Sequence, residues 1–311
     1  MHLPPLTFVT GKGGTGKSII TAALALNAAR SGQRTLVCEL DDHPTMTRLF
    51  GLPDDLGVEP TATRDGVHVA NFRGMPVMQA FLRTFVPSRR VTDLLLRNRV
   101  ATTFFESAPG VMDAVALDRV ADILADGRWD RVFVDLPATG HALTLLRLPA
   151  SMAEMIGVGD LAARVRRLAD IMADPARAAL VVVTLPEEMP VTETLEFCST
   201  VRREVEIRLG AIVVNALRRL PLDDDERSRI DRIARATEEA QPQASARIRL
   251  ALRLGNFWHD EDQRGLLRLE EELPSTERVT VPFVYHKESE RDLVEQIAAS
   301  LRQREQEGGA P

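Results

Sequence analysis

The sequence has little cysteine. Cys38 and Cys198 are the only thiols in 311 residues and lie far apart. That excludes a disulfide framework and a cysteine-rich metal cage, and it suits a reducing cytoplasm. Long apolar runs are also missing. Even the stretch ending at Ala29 falls short of the ~20 residues a membrane span needs, so no stable membrane insertion is expected. The opening residues MHLPPL carry no basic segment followed by an apolar core, so no secretory leader is expected either. Nor is there an excess of cations, because 39 Lys and Arg face 45 Asp and Glu, a net charge of −6. Phosphate backbones and anionic lipids are held by clustered cations, so neither is expected as the main partner, and nucleic acid is set aside. What is present, 44% apolar and 27% charged residues, is the balance of an ordinary globular chain, expected in the cytoplasm.

Short continuous apolar runs punctuate the chain at 6–10, 35–40, 131–134, 179–184, 211–214 and 279–284. Helical stretches of 3.6-residue periodicity separate them. This pattern predicts an α/β fold with a mostly parallel, doubly wound sheet covered on both faces. The chain reads as a single domain, 1–311. Residues at about 72–127 and 142–177 hold more helix than one crossover needs and are expected as helical elaborations above the sheet's C-terminal edge. Residues 221–272 form a charge-dense helical region containing Trp258, read as a solvated helix face rather than an acidic binding site.

Gly11-Lys12-Gly13-Gly14-Thr15-Gly16-Lys17-Ser18 fills the pattern GxxxxGK[ST] between a predicted strand and a predicted helix spanning 18–30. Glycines let backbone N–H groups curl around phosphate oxygens, and the helix start adds partial positive charge. Lys17 is placed to reach the β and γ phosphates and the Ser18 hydroxyl to hold Mg²⁺, with Ile19 in the same helix start. ATP and Mg²⁺ are the expected cofactors of a P-loop NTPase. Asp135 ends the apolar strand RVFVD, where a carboxylate can face Mg²⁺ through water, although an aspartate capping a turn is the plainer alternative.

Lys12, straight after the first glycine, makes the octet resemble the deviant Walker A of the ParA, MinD and nitrogenase-iron-protein ATPases. The resemblance implies that this lysine crosses a dimer interface to the partner's nucleotide; an exposed loop lysine is the alternative. Three further segments narrow the group. Asp135-Leu-Pro-Ala-Thr-Gly140-His141 looks like the DTAPTGH switch of the arsenite-pump and tail-anchored-protein targeting ATPases. Thr184-Leu-Pro-Glu-Glu-Met-Pro-Val-Thr-Glu193-Thr194 resembles the same family's strand–loop–helix. Ile212-Val-Val-Asn215 and Val281-Pro282 are similar to its late strand ends. The chain thus resembles the ArsA-like ATPases from residue 6 to residue 290.

That resemblance implies a nucleotide-sandwich dimer, of two copies or with a paralogue, coupling ATP state to a helical client surface. It places Asn215 and Pro282 at the adenine, and Gly140 and His141 as a switch near the γ phosphate. A strand-end cap for Asn215 and a structural role for His141 stay open. Asp41 falls at the water-orienting position, yet Asp41-Asp42-His43-Pro44 stands where the family has Asp-Pro-Ala-His, so Asp42 competes with it. Two other functions therefore remain in view: a spatial organiser of the MinD or ParA type, and a low-turnover subunit of a heterodimer. Neither cysteine has a cysteine neighbour, so no zinc and no metalloid at the family's thiol site are expected. Met75, Met78, Met112, Met152, Met155 and Met172 fall in the helical elaborations. They offer either a soft surface for an apolar protein client or ordinary helix core.

Overall fold

A computed structural model describes residues 1–40, 45–53, 56–86, 88–108, 110–155, 159–218, 224–285 and 287–307. The strands are β1 (Leu6–Gly11), β2 (Thr35–Glu39), β3 (Thr61–Ala62), β4 (Val67–Asn71), β5 (Arg131–Asp135), β6 (Ala178–Thr184), β7 (Leu209–Leu217) and β8 (Glu277–Pro282). They form one sheet in the order β3-β4-β2-β5-β1-β6-β7-β8. All pairings are parallel except the short β3–β4 edge. The sheet and its helices are the α/β arrangement of a P-loop NTPase. β1 is buried along its whole length, as a central parallel strand covered on two faces must be.

Side-chain alternation along the strands divides the core. Val9, Val37, Phe133, Val181, Val213 and Val281 face one layer. It is made of α1 (Lys17–Arg30), α2 (Met46–Phe50) and α12 (Glu290–Glu307). Leu6, Phe8, Cys38, Val134, Val182 and Val214 face the other. That layer draws buried residues from α3 (Gly74–Phe85), α6 (Val111–Ala125), α7 (Thr139–Met155), α8 (Asp160–Ala173) and α9 (Glu188–Glu204). α1 is alanine- and leucine-rich, and Ile20 to Leu26 are buried without a break, so it lies flat between the sheet and α12. Asn27 Nδ2 donates 2.8 Å to the Ala298 carbonyl, fixing that pair.

The strand pattern does not single out residues 67–71, which add β4 beside β2. The run is short, carries His68 and follows the turn at Asp65–Gly66, so it reads as connection until β2 offers it a ladder. Within the expected elaboration at 72–127, α6 packs on the sheet, whereas α4 (Arg89–Arg97) buries Thr92 alone. α5 (Arg99–Ser107) has no buried residue among those described. Asn98 joins the two, its Oδ1 accepting from Val100 N at 2.9 Å and Ala101 N at 3.3 Å. The charged region consists of α10 (Asp224–Ala236) and the long α11 (Pro242–Glu272), which packs on α9. No helix among the described residues is long and apolar enough to cross a membrane.

Candidate active site

The phosphate loop leaves β1 at Gly11, where a Cβ would collide with the Val183 carbonyl of the neighbouring strand. The loop is held from within, since Thr15 N and Oγ1 both donate to the Lys12 carbonyl, at 3.3 and 2.9 Å. Gly16 opens α1 in the left-handed region, φ 88°, and a Cβ there would run into the Asn215 amide. No acid sits in the first turn of α1, so nothing within the helix would oppose an anion bound at its N–H groups. Lys17, Ser18 and Ile19 occupy that turn.

Beside it lies a cluster of oxygens. Ser18 Oγ donates 2.7 Å to Asp135 Oδ2, and Thr21, one turn along the same face of α1, donates 3.1 Å to Oδ1. Parallel pairing of β2 and β5 sets Glu39 opposite Asp135. Glu39 is fully buried. Its Oε1 accepts from the backbone N–H groups of Thr45 and Met46, the latter at 3.2 Å, capping the start of α2. Its Oε2 is buried with no hydrogen-bond partner. Burial raises the Glu39 carboxyl to about 7; the charge of Asp135 adds to this and the backbone donors oppose it. Thr45 Oγ1 stands 3.4 Å from Ser18 Oγ, closing the cluster.

A second network leads away from the loop. His141, in the first turn of α7 next to Gly140, pairs through Nε2 with Asp113 Oδ2 at 2.9 Å. Asp113, on α6, accepts 2.8 Å from Arg73 at its other oxygen. The Arg73 Nε donates 2.5 Å to the carbonyl of Leu40, the residue before Asp41. Asp41 and Asp42 themselves lie outside the described residues. His141, the start of α3 and the end of β2 are thus tied through one buried carboxylate and the guanidinium of Arg73.

On the far side of the loop, Asn215 Nδ2 donates 2.9 Å to the Thr15 carbonyl. The next residue, Ala216, has φ 56°, and the β7–β8 register slips at this point, so the strand bulges before Leu217 pairs again with Pro282. Arg218 N and its guanidinium bind the buried Asp262 of α11, the closest contact being 2.6 Å. The guanidinium also stacks over Trp258. Lys12 forms an ion pair with Glu193 on α9 of its own chain.

Glu39, Thr21, Thr45, Arg73 and Asp113 are not among the residues that the sequence motifs identify. Thr21 had a readable signal, three residues after Ser18 on a helix. Asp113 had a weaker one, an acid inside an apolar helical run. Cys38 and Cys198 are both buried, and burial raises both thiols, Cys198 to about 12.

These residues fit a nucleoside triphosphate with Mg²⁺. Hydroxyl and carboxylate oxygens, the hard donors that ion prefers, gather at a glycine loop with a buried carboxylate oxygen left unmet among them. Fold and loop together define a P-loop nucleotide-binding protein. The family model of the anion-transporting ATPases (ArsA ATPases) matches residues 5–169 and 155–248. The chain belongs to that family and is an ATPase. It is 29% identical to ATPase BagA of Mycobacterium tuberculosis over 275 residues, 84% of this chain and 77% of that one. A putative arsenical pump-driving ATPase of Halobacterium salinarum is 28% identical over 233 residues, 70% of this chain and 36% of that protein. The Escherichia coli arsenical pump-driving ATPase is 27% identical over 162 residues, 50% of this chain and 27% of that protein.

Proposed function

We propose that this ATPase acts as a Mg²⁺-dependent nucleotide-sandwich dimer whose ATP state opens and closes a helical surface for an apolar client. The observation that carries the coupling is the bridge from His141 through Asp113 to Arg73 and the Leu40 carbonyl. It joins the nucleotide side of the sheet to the first helix of the elaboration. A γ phosphate that draws His141 or the chain end at Leu40 toward itself changes the geometry at Asp113, and with it the seat of α3. Beyond α3, the α4–α5 hairpin exposes Leu94 (70%), Val100 (79%) and Phe104 (64%), an apolar face free to meet a client. Of the methionines in the elaborations, Met78 and Met172 are core, while Met155 is 83% exposed at the end of α7.

Within the site, the loop amides and Lys17 bind the β and γ phosphates, and Asn215 and Pro282 border the adenine. Ser18, and Asp135 through water, would hold the cation, which when bound would neutralise charge building on the phosphate oxygens. Asp41 orients water for in-line attack on the γ phosphorus, with Asp42 the neighbouring candidate; the bond to the bridging oxygen breaks and ADP leaves with phosphate. Lys12 turns from Glu193 toward the partner protomer's nucleotide in the closed dimer. The arsenical cargo in the names of the pump-driving relatives finds no support, since Cys38 and Cys198 are separate buried thiols.

The test is ATP hydrolysis with and without Mg²⁺, beside light scattering with a non-hydrolysable ATP analogue. The expected result is Mg²⁺-dependent turnover and a dimer formed only with nucleotide. Lys12→Ala should keep nucleotide binding and lose both. A wild-type chain that stays monomeric with the analogue, with Lys12→Ala hydrolysing normally, overturns the reading.

A further inference from the structure

We propose that Glu39 is an additional protein group facing the catalytic cation, giving the site a second carboxylate beside Asp135. This rests on reading the loop as an Mg²⁺–ATP site. Glu39 ends β2 in register with Asp135, which ends β5, so parallel pairing alone brings two acids to one edge of the sheet. The side chain is fully buried. Oε1 is used, capping α2 through the N–H groups of Thr45 and Met46. Oε2 has no partner. The cluster is continuous, since Thr45 Oγ1 approaches Ser18 Oγ at 3.4 Å and Ser18 donates to Asp135 at 2.7 Å.

A cap needs one oxygen and no charge. A buried carboxylate with a second oxygen unmet, next to another acid, is unfavourable in the empty protein and invites a positive partner. A divalent cation between the two acids reverses both penalties, meeting the orphan oxygen and cancelling the like-charge repulsion. The simpler alternative is that Glu39 only caps a five-residue helix.

The two readings rank substitutions differently. Glu39→Gln keeps the capping oxygen and the length but removes the charge; Glu39→Asp keeps the charge on a shorter arm. Mg²⁺ is titrated calorimetrically into each protein saturated with a non-hydrolysable ATP analogue, with nucleotide affinity measured separately in EDTA. Loss of a carboxylate supporting a metal site commonly weakens the metal about 10-fold or more, so Glu39→Gln should show a Kd raised by at least about that factor. Nucleotide binding in EDTA should be unchanged, and Glu39→Asp should fall between the Gln variant and wild type. A wild-type Mg²⁺ Kd in Glu39→Gln, or weaker binding in Glu39→Asp than in Glu39→Gln, overturns the proposal in favour of a cap. Asp135→Asn separates the two layers of the argument. If it too leaves the Mg²⁺ Kd unaltered, the Mg²⁺–ATP reading itself fails; if it alone weakens Mg²⁺, only the role of Glu39 falls. Should Glu39→Gln not fold, the Glu39→Asp and wild-type values still decide, since an unchanged Kd in the shortened acid contradicts a group facing the ion.

Discussion

Helix α1 and the α4–α5 hairpin are built on opposite terms. α1 buries seven consecutive residues, Ile20 to Leu26, between the sheet and α12. The hairpin buries only Thr92 among its described residues and turns Leu94, Val100 and Phe104 outward. The first carries the end of the phosphate loop, whose amides must already be aimed when nucleotide arrives. The second is held by few contacts and belongs to the part of the molecule that opens at low free-energy cost. Division of labour follows from packing: a fixed end that reads phosphate, and a loose end that can respond.

Substitutions at the two ends should separate along that line. The largest effect is expected in the loop, where Lys17→Ala should lower ATP turnover by about 10²–10³-fold in a phosphate-release assay. A near-normal rate would remove the lysine from the chemistry. Truncation at the packed end comes next, with Leu26→Ala, at a fully buried site, expected to cost about 3 kcal/mol in urea unfolding. The Glu39 carboxyl supplies a third effect, of similar or smaller size. Its ordinary value is near 4.5 and burial raises it to about 7. Between those values the unfolded chain has already lost the proton while the folded protein keeps it. Stability of the nucleotide-free protein should therefore fall as pH rises through this window and level off above it. The drop is at most about 3 kcal/mol. Glu39→Gln should remove it, and a wild-type slope in that variant would contradict the buried-acid account. The smallest stability effect belongs to the hairpin, where Leu94→Ala should change unfolding by less than about 0.5 kcal/mol. A loss of several kcal/mol there would show that the hairpin is core and erase the contrast.

What could be read in the chain beforehand follows the distance over which its chemistry is written. The glycine loop, Lys17 and Ser18 are contiguous, and the strand and helix around them announce themselves by apolar runs. Asp135 was legible as the acid at a strand end. Glu39 was not, although it sits in the segment Glu39-Leu40-Asp41-Asp42, because its meaning comes from the parallel register with β5. Asp113 was only faintly legible for a related reason: its partners His141 and Arg73 come from α7 and the residue before α3, and no spacing rule joins them. β4 went unseen because its strand character depends on the ladder that β2 provides.

The central claim is that nucleotide state reaches the hairpin through Asp113. Its most direct measurement is amide hydrogen exchange across residues 89–107, with and without Mg²⁺ and a non-hydrolysable ATP analogue, in the wild type and in Asp113→Asn. The expected result is a nucleotide-dependent change in hairpin exchange in the wild type that disappears in the variant, while protection at residues 11–18 persists in both. Identical hairpin exchange in the two nucleotide states of the wild type, or an undiminished response in Asp113→Asn, would contradict the account.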